Sequence, residues 1–304
     1  MKAIVTGGAG FIGSHLCDAL IKRGHEVVCY DNLLTGTLKN ISHLMGNKNF
    51  EMVIGDVRNP HLLGKYMQGT DVVFNQMAAK KSICDKDPRK DCEINAGGTL
   101  NLLLTMVRHG VKKIVHASTG SVYGEFPGVL TEFSNTNPVS YYGVSKLAGE
   151  KYVAAFGDLH GIEYTILRYF HVYGERQDSS SYGGVIPIFI RQAMDGDKLT
   201  IHGDGKQVRS FTYVKDVVDA NIAGYLQTDN RIYNCASGIK VSINDIAERI
   251  QCLVGRVGTV TMPPLMGDVR NFDINNQMIR HDYLINFTNF EDGLKKTVDY
   301  YVSL

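Results

Sequence analysis

Two side chains in the middle of the chain have the types and the spacing of a proton-transfer pair. Tyr142 and Lys146 stand four residues apart, after Pro138 and in a run whose composition suits the first turns of a helix. Residues four apart share a helix face, so the phenol and the ammonium group would lie side by side. A neighbouring cation favours the phenolate and lowers a tyrosine pKa from its usual value of about 10, which would make Tyr142 a general base. The same spacing is common on solvated helix faces, so the pair alone does not identify a catalytic site. Other residues must be predicted to lie near it.

The composition is that of a globular protein. The chain has 304 residues, of which 44% are hydrophobic and 21% are charged, enough for one large domain or two intimate ones. A formal net charge of +1, with scattered Lys and Arg, gives no reason to expect a nucleic-acid partner. No apolar run approaches the ~20 residues of a membrane span and no signal-peptide pattern follows Met1, so we expect a cytoplasmic protein with no membrane partner.

Cysteine and histidine spacing gives no sign of a metal centre. The six cysteines form no Cys-x-x-Cys pair, and no His or Cys cluster has the spacing of metal ligands. We therefore expect reduced thiols and no metal.

The first thirty residues carry a phosphate-binding pattern. A short strand at 3–5 ends in Gly8-x-Gly10-x-x-Gly13, a helix is predicted to follow at 14–23, and a second strand at 26–30 runs into Asp31. Such glycines let the backbone approach a pyrophosphate at the helix N-terminus, and the acid takes the ribose hydroxyls. Because the Asp31 carboxylate would repel a 2′-phosphate, the pattern favours NAD over NADP.

Strands and helices go on alternating, which predicts a parallel sheet. Strands are predicted at 51–54, 71–74, 113–117 and 163–168, with helices at 61–67 and 91–109 between them. In such sheets ligands bind at the carboxyl ends of the strands. The segments that follow predicted strands, and should share that edge, are 8–13, Asp31, Asp56, 78–81 and 118–121.

The second half of the chain has a different pattern. Loops lengthen after residue 168, and helices are predicted at 185–194, 214–227, 243–254 and 290–301. We expect an α/β fold with a Rossmann-type doubly wound parallel sheet in an NAD-binding domain at 1–168. A smaller C-terminal α/β substrate domain is expected at 169–304, with the chain crossing back to the first domain around 211–235.

Taken together, these segments resemble one enzyme family over nearly the whole chain. The sequence is similar to the extended short-chain dehydrogenases/reductases, in the NAD-dependent nucleotide-sugar epimerase/dehydratase branch, and most of all to its 4-epimerases. The matching motifs are Thr6-Gly7-Gly8-Ala9-Gly10-Phe11-Ile12-Gly13, Asp31-Asn32-Leu33, Gly55-Asp56-Val57, Ser118-Thr119-Gly120-Ser121-Val122-Tyr123-Gly124, Tyr142-Gly143-Val144-Ser145-Lys146, Leu167-Arg168-Tyr169-Phe170, Tyr173-Gly174-Glu175-Arg176-Gln177-Asp178 and Gly267-Asp268-Val269-Arg270.

The resemblance implies a mechanism and a set of site residues. Tyr142 would take the proton of a sugar hydroxyl, Lys146 would lower its pKa and hold the nicotinamide ribose, and Thr119 would hydrogen-bond the reacting oxygen. The sugar C4 would be inverted through a transient 4-keto intermediate with NAD staying bound. The residues implied for the cofactor are Gly7, Gly10, Phe11, Ile12, Gly13, Asp31, Asn32, Asp56, Val57, Ala78, Ala79, Lys81, Asn95, Tyr142 and Lys146. Those implied for the substrate are Thr119, Gly120, Ser121, Tyr142, His171, Arg209, Arg270 and Phe272.

Comparison with the family pattern narrows the reaction. The 4,6-dehydratases carry an Asp-Glu pair directly after the threonine, and the glucuronate decarboxylases carry a Glu two residues after it; here Gly120 and Ser121 stand there. Asp178 stands where uronate epimerases tend to have an arginine, and it would repel a sugar carboxylate. The resemblance thus implies a neutral nucleotide-diphosphate hexose, UDP-hexose above others. A reductase or dehydratase with the same residues, or a non-catalytic dinucleotide sensor, is the alternative.

The substrate side departs from the pattern at three positions. His171 replaces the usual Asn, Ser210 replaces the Asp of Arg-Asp-Phe although Arg209 is kept, and Leu265 replaces an arginine. His171 could equally be a packed or solvated histidine, and Arg270 could substitute for the missing cation. The bulk of Phe272 would favour a hexose without an N-acetyl group. The resemblance also implies a homodimer, formed by the helix before His109 and the helix that carries Tyr142.

Overall fold

The chain folds into two compact units, each assembled from separate segments. The computed structural model describes residues 1–79, 81–180, 183–227, 230–264 and 273–304. The first unit comprises Met1–Gly124, Asn135–Arg168 and Val218–Tyr233. The second comprises Glu125–Ser134, Tyr169–Val217 and Asn234–Leu304. None of the helices in these described ranges is long and apolar enough to cross a membrane.

The described residues contain the following regular elements. The strands are β1 (Lys2–Thr6), β2 (Glu26–Asp31), β3 (Phe50–Ile54), β4 (Val72–Asn75), β5 (Lys113–Thr119), β6 (Val129–Leu130), β7 (Glu163–Tyr169), β8 (Val172–Tyr173), β9 (Leu199–His202), β10 (Val208–Ser210), β11 (Thr212–Tyr213), β12 (Arg231–Cys235), β13 (Lys240–Ser242), β14 (Thr259–Met262) and β15 (Asp273–Ile274). The helices are α1 (Phe11–Lys22), α2 (Pro60–Met67), α3 (Lys81–Cys84), α4 (Pro88–Asp91), α5 (Gly98–Arg108), α6 (Tyr141–His160), α7 (Val185–Asp195), α8 (Val214–Leu226), α9 (Ile243–Leu253), α10 (Gln277–Tyr283) and α11 (Phe290–Val302).

A seven-stranded sheet organises the first unit. Its strands lie in the order β12-β7-β5-β4-β1-β2-β3, and every pairing from β3 through β5 is parallel. The order runs outward from β1 in both directions, which is the doubly wound arrangement and places a topological switch point between β1 and β4. This strand order confirms the predicted fold class. Because its parallel strands have apolar residues on both faces, the sheet needs helices above and below it.

Helices cover both faces of this sheet. On one face α2, α5 and α6 contribute Leu63, Leu103 and Val153 to a core that contains Ile4 and Ile114 of the strands, all of them 0% exposed. On the other face Tyr225 of α8 packs its ring 6.2 Å from that of Phe74 in β4. The sheet is therefore shielded from water, and its loops at the carboxyl ends are left to carry polar groups.

The helix that carries Tyr142 has a well-defined start. The Ser140 hydroxyl caps α6 by accepting a hydrogen bond from the Gly143 amide at 3.1 Å. A Cβ at position 143 would lie 2.7 Å from the Ser121 carbonyl oxygen, so the first turn of α6 passes directly against the loop after β5. This close approach brings the predicted catalytic residues to the end of that strand.

The predicted helix at 91–109 is not regular. After α4 the backbone forms a π segment at Cys92–Gly97 and only then continues as α5. A π segment widens the helix by one residue per turn and turns a side chain away from the regular α position, which hydrophobic spacing does not reveal. The displaced stretch includes Asn95.

Within its described residues, the second unit is built from short strand pairs and the helices α7, α9, α10 and α11. β8 pairs with β11, β9 with β14 and β6 with β15 in parallel, whereas β10 and β13 are antiparallel. Helix α7 packs on α9 and α11. The rings of Tyr173, Phe211, Tyr213 and Phe290 contact one another in its core. The four helices predicted in this half are confirmed within two residues at each end.

Candidate active site

The loop after β5 holds one side of the candidate site. Thr119 ends the strand, and its Oγ1 accepts a hydrogen bond from the Ser121 amide at 3.2 Å. The two hydroxyl groups lie 3.3 Å apart, and the side chains of Thr119 and Tyr142 share a hydrogen bond. Gly120 between them is buried. The structure thus brings together all the residues that the sequence placed at this strand end.

The pKa of Tyr142 differs from the sequence prediction. It is raised well above the ordinary value, because burial disfavours the phenolate and the nearby Cys84 and Asp91 oppose its charge; only the hydrogen bond with Thr119 works in the other direction. The prediction that Lys146 brings this pKa down toward working pH is wrong, since burial and the two neighbouring acidic groups outweigh the hydrogen bond with Thr119. Tyr142 is therefore a neutral phenol that can share its proton with Thr119.

Lys146 is an enclosed amine. Its side chain is 2% exposed, and burial lowers its pKa to about 8, while the carboxylates of Glu150 and Asp91 act against that shift. An amine with a pKa near 8 is largely protonated at neutral pH and close to losing that proton. Lys146 is therefore a buried amine whose protonation can change near working pH.

The glycine loop between β1 and α1 has the shape that a pyrophosphate requires. Gly7 adopts a φ of +70°, and a Cβ at Gly13 would lie 2.2 Å from the Gly7 carbonyl oxygen. Gly10 precedes α1 and brings no side chain to the helix N-terminus. Phe11 and Ile12 form the first turn and are half-buried. These residues fit a dinucleotide phosphate at the positive end of the helix dipole.

Asp31 stands at the end of the neighbouring strand, as predicted. Its Oδ2 accepts the Ala9 amide at 3.0 Å and its Oδ1 accepts the Leu33 amide at 2.8 Å. Burial raises its pKa, and the two backbone hydrogen bonds oppose that rise. Each carboxylate oxygen has a second lone pair, so both can also accept a ribose hydroxyl.

Asn32 and Asp56 form one polar group with Arg58, which the sequence analysis did not single out. The Asp56 carboxylate accepts Asn32 Nδ2 at 2.9 Å and is held by the Arg58 guanidinium through Nε and Nη2 at 2.9 and 2.8 Å. Arg58 is the main cause of the lowered pKa of this carboxyl. The next residue, Val57, is buried and packs near Gly98 and Met77.

The loop after β4 is tied to the π segment. Ala78 is half-buried and Ala79 is buried, and the Ala79 amide donates to Asn95 Oδ1 at 2.8 Å. The Asn95 amide group in turn donates to Asp91 and Ser145. Asn95, which the resemblance implied as a cofactor residue, therefore makes its hydrogen bonds to protein groups and supports the loop rather than exposing its amide.

In the second unit, His171 and Arg209 are neighbours. Burial and the Arg209 charge lower the pKa of His171 to about 3, so its ring is neutral at working pH. His171 has a φ of 38°, and its ring lies 5.8 Å from that of Phe211. Arg209 is 5% exposed and donates from Nη1 to the Val208 carbonyl oxygen at 2.9 Å. The histidine is thus packed among aromatic and cationic groups.

Some predicted residues lie outside the described part of the chain. They are Arg270 and Phe272, together with Leu265, and the side chain of Lys81, of which only the backbone at the start of α3 is described. Among the residues that are described, no group of three or more His, Cys, Asp or Glu side chains could hold a metal ion.

Two further groups at this site were missed by sequence reasoning. One is the buried pair of Glu150 and Arg168, joined at 2.9 and 2.7 Å below the loop after β5, with the Ser118 hydroxyl donating to the same carboxylate. The other is the cluster around Asp91 and Ser145. Glu150 and Arg168 are 18 residues apart, and Asp91 and Ser145 are 54 apart, so no local spacing indicates either pair. An unexplained Glu or Asp among apolar positions was the available signal.

Comparison with known proteins agrees with this geometry. Residues 3–236 match the model of the NAD dependent epimerase/dehydratase family. The chain is 33% identical over 312 residues to the UDP-glucose 4-epimerase of Mycolicibacterium smegmatis, covering 99% of this chain and 98% of the relative. It is 37% identical over 261 residues to a UDP-N-acetyl-alpha-D-glucosaminuronate decarboxylase of Bacillus cytotoxicus, covering 83% and 80%.

A solved structure is similar over the full length. The crystal structure of a UDP-glucose 4-epimerase from Thermotoga maritima, with UDP-glucose, superimposes with a TM-score of 0.95 at 34% identity, covering 100% of this chain and 99% of that one. The glycine loop, Asp31 and the Thr119–Tyr142 pair fit the cofactor for which the matching family is named. The chain is an enzyme that belongs to the NAD-dependent epimerase/dehydratase family, whose members act on nucleotide sugars.

Proposed function

We propose that the protein is a 4-epimerase of a UDP-hexose that works with tightly bound NAD. The observation that carries this is the makeup of the loop after β5. Thr119 shares a hydrogen bond with Tyr142, and the two positions that follow hold Gly120 and a hydroxyl group on Ser121. The site therefore offers Tyr142 as the proton acceptor for one sugar hydroxyl. The loop after β5 has no carboxylate that could remove water or act on a uronate.

The chain's own residues would divide the work as follows. Thr119 Oγ1 orients the 4-hydroxyl. Tyr142 must first lose its own proton; as the phenolate, its Oη takes the substrate proton as C4 is oxidised, and as the neutral phenol it returns that proton when C4 is reduced on the other face. Lys146 stabilises the phenolate that exists before the first transfer and is restored by the second. The chemistry that NAD supplies when bound is reversible two-electron oxidation at C4. No net oxidation results, so no second reductant is needed.

Cofactor and substrate residues are assigned by the same reasoning. Gly7, Gly10 and Gly13 would hold the pyrophosphate and Asp31 the adenosine ribose, while Asn32 and Asp56 would border the adenine. Arg209 would meet the substrate diphosphate, with His171 beside it as a neutral ring. A relative named as a UDP-glucose 4-epimerase and a similar structure solved with UDP-glucose support a uridine nucleotide.

A homodimer is part of this proposal. Helix α6 carries an apolar stripe at helical spacing with Tyr141 57%, Val144 54%, Tyr152 38% and Leu159 76% exposed. Leu104 and Val107 of α5, which packs on α6, are 50% and 36% exposed. Paired copies of α5 and α6 would bury these side chains in a four-helix bundle. Size-exclusion chromatography with light scattering of Val144→Glu against wild type tests this, and an unchanged mass would reject this face.

The reaction is tested by incubating purified protein with UDP-glucose, UDP-galactose and their N-acetyl forms, with no cofactor added. Interconversion of the C4 epimers is the expected result. A requirement for stoichiometric NAD(P)H would identify a reductase, and loss of water a dehydratase. Release of carbon dioxide from a UDP-uronate would identify a decarboxylase, the activity named for one relative. Each of these three outcomes would overturn the epimerase proposal.

A further inference from the structure

A cluster of buried polar side chains lies against the first turns of α6. At its centre is Asp91, the last residue of α4, which is 2% exposed. Its Oδ1 accepts three hydrogen bonds, from Asn95 Nδ2 at 2.6 Å, Ser145 Oγ at 2.7 Å and Cys84 Sγ at 3.0 Å. A buried carboxylate with this many donors is held in one position.

Two parts of the candidate site meet at this carboxylate. Asn95 also accepts the Ala79 amide at 2.8 Å, which fixes the loop after β4 that is proposed to border the cofactor. Ser145 lies between Tyr142 and Lys146 on α6, and its hydroxyl is 3.1 Å from the Tyr142 carbonyl oxygen. Loop and helix are far apart in sequence, and the Asp91 side chain is their common partner.

The charges around Lys146 differ in how they are compensated. Glu150, one turn further along α6, pairs with the Arg168 guanidinium. The three donors to Asp91 are the side chains of Asn95, Ser145 and Cys84, and all are uncharged. The Cys84 thiol keeps its proton because burial and Asp91 itself raise its pKa to about 12. Glu150 nevertheless favours the Lys146 ammonium more strongly, and Asp91 comes second.

The other titratable groups facing Lys146 add little negative charge. His116 of β5 is fully buried, and burial together with the Lys146 charge lowers its pKa, so the ring is neutral. Tyr142 is a neutral phenol for the reasons given above. Asp91 attracts the Lys146 ammonium and opposes the Tyr142 phenolate, so it acts on both members of the pair.

We propose that Asp91 is a positioning residue of the active site. Through one oxygen it locks the loop at Ala79 to the start of α6 by way of Asn95 and Ser145. A second consequence is that its charge adds to that of Glu150 in favouring the ammonium form of Lys146. This rests on the proposed function in that Lys146 is taken to serve Tyr142. Its direct test does not need turnover.

The first measurement is the titration of Lys146 in Asp91→Asn, a change that keeps the side-chain volume and removes the charge. Lysine ε-carbon NMR of the ¹³C-labelled protein, with the signal assigned by Lys146→Arg, reports the amine directly. We expect a pKa of about 8 in the wild type and about one unit lower in the variant. Asp87→Asn is the matched control, because Asp87 caps the same helix at an exposed position where solvent screens its charge.

The pH profile of turnover is the second readout. If Lys146 must be protonated, the rate falls as pH rises through the pKa of this amine, so Asp91→Asn moves the basic limb about one pH unit lower and Asp87→Asn leaves it in place. A purely structural Asp91 would lower the folded fraction without moving this limb. If the protein proved not to be an epimerase, the NMR titration would still decide the role of Asp91.

Ser145→Ala separates position from charge and covers the case in which Asp91→Asn does not fold. It removes the hydrogen bond between α6 and Asp91 and leaves the carboxylate. We expect kcat to fall about tenfold, with KM and the Lys146 titration unchanged, because only the placement of Tyr142 is loosened. A folded Asp91→Asn with the wild-type Lys146 pKa, or Ser145→Ala with the wild-type kcat, would overturn the proposal.

Discussion

The two units hold their candidate functional residues in different ways. In the first, Thr119, Tyr142 and Lys146 sit where a seven-stranded sheet ends, and Ser145, between Tyr142 and Lys146, ties α6 to the buried Asp91 by a hydrogen bond. In the second, His171 directly precedes the two-residue strand β8 and Arg209 belongs to the three-residue strand β10, in separate small sheets. The first arrangement suits groups that must keep one geometry, and the second suits groups that can change with the substrate.

The departures from the family pattern follow the same division. The glycine loop, Asp31, Thr119, Tyr142 and Lys146 keep the family's residue types, whereas His171, Ser210 and Leu265 do not. We infer that the chemistry resides in the first unit and that the second adjusts the choice of sugar nucleotide. Variants in the two units should therefore fail in different ways.

The largest effect is expected from Tyr142→Phe in the first unit. Loss of the phenol oxygen removes the only group proposed to accept the substrate proton, so turnover should fall at least about 10³-fold while bound NAD is retained. Turnover and the absorbance of cofactor released on denaturation measure the two quantities. Tyr141→Phe, at the exposed neighbouring position, is the control and should keep wild-type turnover. Wild-type turnover in Tyr142→Phe would place the base elsewhere.

The second-largest difference between the two units is expected in the free energy of unfolding that is lost when an ion pair is broken. Arg168→Met leaves the Glu150 carboxylate buried without its partner, and the free energy of unfolding should fall by about 3–5 kcal/mol. The matched change in the second unit is Arg191→Met, which breaks an exposed pair with Asp195 and should cost less than about 1 kcal/mol. Urea unfolding measures both. Equal losses would mean that the Arg168 pair is not buried in solution.

In the second unit, Arg209→Ala should act on binding. Losing a charge-assisted contact with the diphosphate should raise KM for the sugar nucleotide about 10- to 100-fold and leave kcat within about threefold. Arg209→Lys keeps a point charge without the bidentate geometry and should give a smaller rise. Steady-state kinetics separate the two constants. A fall in kcat with an unchanged KM would move Arg209 to the chemical step.

The smallest change is expected from His171→Asn, which restores the family's usual residue. Asparagine adopts a positive φ such as the 38° at this position more readily than histidine does, so folding should be preserved. We expect KM to change by a few-fold and kcat to stay the same. A kcat change of tenfold or more would contradict the division between the two units.

Much of the first unit could be predicted from sequence because its signals are local. The glycine spacing, the apolar runs of the strands and the position of Asp31 depend on neighbours in the chain, and the structure has each of these elements in place. Hydrophobic spacing could not indicate the π segment at Cys92–Gly97, because its 6 residues are too few for its period to be distinguished from that of an α-helix.

Long-range contacts account for what the sequence missed. Asp91 and Ser145, 54 residues apart, meet only in the folded protein, and so do Glu150 and Arg168, which are 18 residues apart. The pKa of Tyr142 shows the same limit: the i,i+4 lysine predicts a lowered value, but burial and the Cys84–Asp91 pair reverse its sign. Local spacing found the reacting groups, and folding determined their electrostatics.

One labelling experiment tests the central claim most directly. Wild-type protein is incubated with UDP-[4-²H]glucose and no added cofactor, and the product is examined by mass spectrometry and NMR. Epimerisation through a transient 4-keto sugar predicts UDP-galactose that keeps the deuterium at C4. A product that has lost water, or epimerised sugar that has exchanged its deuterium for solvent hydrogen, would contradict the account.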